Sequence, residues 1–190
     1  MSGGEYLLGL ILIITGLAIS DMVVCLHNVL INRTRVRWDW LALLAAAYIF
    51  LMIVNSWGLS FQTFNSDDAN PHLWEFLELL GQIIALYLAA RASLPDGVPD
   101  NDTVDLAAHY ALISRYFWSA IAATLVLYLV GAVYFEGAAI PALRARWGAA
   151  AQLALMIPLI ASRDRRLHAM LVPVIVALFC LDHINRPLFG

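Results

Sequence analysis

Among the side chains of types that exchange protons or hold cations, eight in or beside long apolar runs draw attention first. Asp21 lies inside the first run, about 22 Å along a helix from Tyr6 at about 1.5 Å per residue. Glu75, Glu78 and Gln82 fall within about 60° of one another on a helix, so they form one polar stripe descending from Trp74. Glu136, Asp182, His72 and His183 stand at the ends of runs on the side where that stripe begins. A charge in the middle of a bilayer costs roughly 2.5–3.5 kcal/mol unless it is paired or wetted, so such residues mark function by default. Asp21, Glu75, Glu78, Gln82, Glu136 and Asp182 are therefore expected to form an ion- or proton-binding set. Each also has a plain structural reading. Asp21 could pair with Arg91 or Arg115. Glu75 suits the positive N-terminus of its helix. Glu78 and Gln82 could simply hydrogen-bond to neighbouring helices.

His72 and His183, with the nearby carboxylates, are weak candidates for a divalent cation. The His72-x-x-Glu75 spacing has no second copy, and a haem would have only this one histidine pair at matched depth. No cofactor is expected. The sequence holds no Gly-x-Ser-x-Gly, no Ser/His/Asp arrangement and no phosphate-cradling glycine loop. That leans away from an enzyme. A metal-dependent membrane enzyme built on the outer acidic residues is a third reading.

The elements that must position these residues follow from composition. Of 190 residues, 62% are hydrophobic and only 13% charged, with a mean hydropathy of +0.78. A soluble fold of this size could not cover so much apolar surface. A polytopic integral membrane protein results, all-α because backbone groups cannot go unpaired in lipid. Six apolar segments are expected to be helices, over 6–31, 38–61, 73–92, 116–134, 141–161 and 167–183, in one transmembrane domain. The first reads as a span, not a cleaved leader, since no basic stretch precedes it. The fifth reaches spanning length only if it starts at Pro141. Asn70 and Pro71 are expected to open helix three, and Asp102 or Thr103 an amphipathic lead-in over 104–115. Cys25 and Cys180 fall in opposite halves and are expected to stay free.

All eleven basic residues are arginine. With no lysine and a net charge of −3, a nucleic-acid partner is not expected. Arg33, Arg35, Arg37, Arg91, Arg115, Arg163, Arg165 and Arg166 fall on one side, and Arg144, Arg146 and Arg186 on the other. The positive-inside rule then puts the first group in the cytoplasm and both termini outside. Trp38, Trp40 and Trp118 mark one boundary and Trp57, Trp74 and Trp147 the other. Arg35-Val36-Arg37-Trp38 and Arg144-Ala145-Arg146-Trp147 precede helices two and five, a faint sign of a three-plus-three inverted repeat.

Ile19-Ser20-Asp21 resembles the Phe-Ser-Asp signature in the first helix of the small six-helix potassium channels of bacteria and lysosomes. The likeness covers three residues, has Ile for Phe and lacks the upstream arginine, so no function is carried over from it. Leu94-Pro95-Asp96 and the Arg-x-Arg-Trp segments look like those of bacterial inner-membrane proteins, which implies that location. The expectation is a cation- or proton-conducting channel or transporter in the lipid bilayer. The alternative is a non-catalytic accessory or assembly subunit, as a homo-oligomer or in a larger membrane complex.

Overall fold

The computed structural model describes residues 3–64, 72–98, 102–135 and 146–183. Six helices make up nearly all of them: α1 Gly3–Ile31, α2 Trp40–Phe64, α3 Leu73–Ser93, α4 Leu106–Phe135, α5 Trp147–Ala161 and α6 Arg165–His183. The chain is an all-α helical bundle, and five of its helices are long and apolar enough to cross a membrane. The exception is α5, whose 15 residues reach about 22 Å against a hydrocarbon core of about 30 Å. Arg146 precedes it in a turn, and the expected start at Pro141 lies outside the described residues.

Burial follows helical periodicity. In α1 the buried residues are Leu8, Ile11, Thr15, Ala18, Met22, Cys25 and Val29, a strict alternation of three and four. This is a narrow seam, with the rest of the helix turned outward. Around it Leu12, Ile13, Leu17, Val23 and Val24 are exposed. Elsewhere Leu112, Met170 and Leu181 are exposed too. In water such a surface would be a large unsupported apolar patch; against lipid it is at equilibrium. Helix α2 is the hub, packing on α1, α3, α4 and α6. Leu41, Ala42, Ala45, Tyr48, Ile49, Met52 and Ile53 form its buried face. Helix α3 packs most extensively on α4, and α5 lies between α4 and α6.

Serine and threonine hydroxyls inside the bundle are satisfied locally. Ser60, Ser93, Ser114 and Thr124 each donate to a carbonyl of their own helix, so a hydroxyl costs little there. The ends of α2 and α4 that carry most of the arginines are tied together by a short parallel bridge. Val36–Arg37 (β1) pairs with Val104–Asp105 (β2). Asp105, not Asp102 or Thr103, caps α4, accepting from the amides of Ala107 and Ala108 at 2.9 and 3.1 Å. The Ala108 and Ala107 amides and the Arg37 guanidinium at 3.7 Å hold the Asp105 carboxyl below the usual carboxylate range. With that cap, α4 runs unbroken for 30 residues, because Leu106, Tyr110 and Phe117 continue its buried stripe. The lead-in is part of the span. Likewise α3 opens at Leu73 with His72 as its N-cap, two residues beyond the expected Asn70 cap; Asn70 and Pro71 are outside the described residues. Cys25 and Cys180 are both free.

Candidate functional site

A polar cleft opens between α2, α3, α4, α5 and α6 at the end of the bundle opposite most of the arginines. Its cavity volume is about 70 Å³. Asn55 and Ser56 come from α2, Gln82 from α3, Thr124 and Tyr128 from α4, Gln152 from α5, and Asp182 and His183 from the last turn of α6. Arg146, just before α5, also lines it, its guanidinium 5.1 Å above the Tyr128 ring.

The last turn of α6 is shaped by close packing. The Asp182 carboxylate lies against the backbone of α5, where a β-carbon on Gly148 would stand 2.9 Å from Oδ2. His183 stacks on Phe179, with ring centroids 4.3 Å apart. Its Nδ1–H donates to the Phe179 carbonyl at 2.9 Å, which leaves Nε2 as the proton acceptor. The two titratable groups are neighbours, with His183 Nδ1 3.8 Å from Asp182 Oδ2.

The floor of the cleft is a buried hydrogen bond. Tyr48 Oη donates to Gln152 Oε1 at 2.7 Å, and Gln152 is only 2% exposed. Below it the Tyr48 and Trp118 rings pack at 6.0 Å. A second network starts on the far side of those rings. Trp118 Nε1–H donates to Tyr110 Oη at 2.9 Å, Tyr110 Oη donates to His168 Nδ1 at 2.8 Å, and His168 Nε2–H donates to the Ser162 carbonyl at 3.0 Å. His168, 2% exposed, thereby has both ring nitrogens used. Nearby, Asp39 is buried as the cap of α2 and paired with Arg165 from the start of α6 at 2.5 Å.

The sequence-derived residues divide accordingly. Gln82, Asp182 and His183 meet in the cleft. Glu78 is joined to it through Gln82, whose amide donates to Glu78 Oε1, but itself lines a separate groove between α3 and α4. Glu75 accepts from the His72 backbone amide at 3.0 Å, which makes it a helix-capping carboxylate. His72 is exposed at that helix start. Asp21 sits apart, between α1 and α3: it accepts from Tyr87 Oη at 3.1 Å and lies 3.7 Å from Arg91 Nε. Arg91 also binds Asp96 at 2.6 Å. Glu136 lies outside the described residues. Among the described residues no group of three or more His, Cys, Asp or Glu side chains could hold a metal ion.

Sequence reasoning gave no site role to Tyr48, Gln152, Tyr110, His168, Asp39 and Arg165. Two of them carried a signal. Gln152 is a lone amide in an apolar run, and His168 is in step with Val172, Ile175 and Phe179 on the buried face of α6. No family model, no curated protein and no solved structure matches this chain, so its site is read from its own geometry.

Proposed function

We propose that the chain conducts protons or small cations across a bilayer, with the polar cleft as its entrance. One observation carries this: Gln82, Asp182 and His183 converge with Asn55, Ser56 and Gln152 on one cleft inside the bundle. Such convergent polar groups have no packing role that aliphatic residues would not fill better. Asp182 supplies a carboxylate, and His183 Nε2 an imidazole nitrogen that accepts a proton. Among the described residues, Glu78, reached through Gln82, adds a second carboxylate against one guanidinium, that of Arg146. That balance favours a cation over an anion.

The path is closed in this conformation. Between the Tyr48–Gln152 floor and the Tyr110–His168 network stand the rings of Tyr48 and Trp118. An indole N–H donates but does not accept, so no proton relays through Trp118. Opening requires one of those rings to move. By the positive-inside rule the arginine-rich end faces the cytoplasm of a bacterial inner membrane, so the cleft and both chain ends face out.

Sealed vesicles containing the purified protein test this. Under an imposed potential they should pass protons or a monovalent cation faster than empty vesicles. Flux at the level of empty vesicles for protons, sodium and potassium would overturn the reading. A second reading, an accessory subunit of a membrane complex, is favoured by α1: its only deep carboxylate is answered by Arg91, and most of its apolar surface is unburied. Stoichiometric co-purification with other chains from native membranes is its signature.

A further inference from the structure

On the outer surface of the bundle, α3 and α4 bound a groove of about 610 Å³. Trp74, Leu77 and Glu78 line one wall at helical spacings of three and four; Leu127, Val130 and Tyr134 line the other. Among the described residues, every lining side chain except Glu78 is apolar or aromatic. Trp74 and Tyr134 stand open at 72% and 80% exposure. Trp74 is one turn from Glu78, about 6 Å along the axis. The Glu78 carboxylate is set against α4 at Gly131, and Gln82 donates to Oε1 alone. Among the described residues nothing donates to Oε2.

We propose that this groove binds a lipophilic organic cation, a protonated or quaternary ammonium or a phosphonium centre carried on an apolar body. The Glu78 carboxylate answers the charge, and the ring faces of Trp74 and Tyr134 attract it further. Leu77, Leu127 and Val130 take the apolar body. The other occupants fit worse. A lipid tail or an apolar helix would leave the carboxylate unanswered. A small hydrated metal ion needs several oxygen ligands, and the described lining supplies one carboxylate. The site meets the cleft only at Glu78, through Gln82; it requires the charge of Glu78 and the two rings, not Asp182 or His183.

The test is equilibrium binding of tetraphenylphosphonium to the protein in nanodiscs of phosphatidylcholine, a lipid without net charge. Saturable binding above that of empty discs is expected. Glu78→Gln, which keeps the shape and the bond to Gln82, should weaken it at least about tenfold. Trp74→Ala, at an exposed ring that the fold does not need, should weaken it about threefold. Asp182→Asn should bind as the wild type does. Uptake equal to that of empty discs, or unchanged affinity in Glu78→Gln, would overturn the proposal. Binding without ion flux in vesicles would remove the cleft reading and leave the groove standing; flux without binding would do the reverse.

Discussion

The carboxylate of Glu78 fills the space that a side chain on Gly131 would need: a β-carbon there would stand 2.7 Å from Oε1. A few residues away, a β-carbon on Gly81 would stand 3.1 Å from Leu127 Cδ1. The two helices with the largest shared contact are thus brought together at positions that lack side chains, and the carboxylate is laid flat between them. Without Gly131, Glu78 would have to project further into the groove or into lipid.

Gly131→Ala should therefore lower the thermal midpoint in detergent, because the Glu78 tip must be displaced. In a Glu78→Ala background the same substitution should be harmless. The coupling expected from a double-mutant cycle is about 0.5–3 kcal/mol, the range for residues in contact. Equal losses in both backgrounds would mean that the crowding lies elsewhere.

Tyr48→Phe removes the donor from the floor of the cleft and leaves Gln152 Oε1 buried without it. The cost should be about 1–3 kcal/mol, the penalty for an unsatisfied buried acceptor. Replacing both, as Tyr48→Phe with Gln152→Leu, should recover most of the loss. Chemical denaturation of the single and double variants measures it. A double variant as unstable as the single would show that Gln152 has another partner of equal weight.

Arg165→Met should cost about 1.5–3 kcal/mol, the range for a hydrogen bond to a charged group. It strands the Asp39 carboxylate, which is 4% exposed. Adding Asp39→Asn should relieve most of that cost while keeping an N-cap on α2. The readout is unfolding by denaturant at neutral pH.

The cap on α4 should make stability fall in acid. Asp105 has a folded-state pKa below its ordinary value of 3.8, so its contribution is complete above that value and lost as pH falls through the lower one. Asp105→Ala should accordingly lower the thermal midpoint at pH 7, and the gap to wild type should narrow toward pH 3. A gap independent of pH would mean that the backbone amides of Ala107 and Ala108 are not bonded to an ionised carboxylate.

The sequence makes the helical class plain, because apolar runs of spanning length admit no other backbone solution. It makes the cap of α3 half plain: Glu75 suits a helix start, while the boundary at Leu73 depends on the backbone conformation of His72. The cleft was legible only in part. Gln82, Asp182 and His183 stand out as polar residues in apolar surroundings, but their convergence depends on which helices touch, and α3 and α6 are far apart in the chain. The pairing of Asp21 with Arg91 was one of two partners open to it on the sequence, and Tyr87 gave no signal at all. Asp39 looks like a boundary residue until α6 brings Arg165 against it.

Ion flux through Asp182→Asn and Asp21→Asn, compared side by side in vesicles at equal protein density, tests the central claim most directly. If the cleft is the entrance, Asp182→Asn should lose at least about tenfold in flux, a barrier change of about 1.4 kcal/mol. Asp21→Asn, which removes a charge already answered by Arg91, should keep most of it. Flux that survives in Asp182→Asn and vanishes in Asp21→Asn would contradict the account and move the path to the α1–α3 side of the bundle.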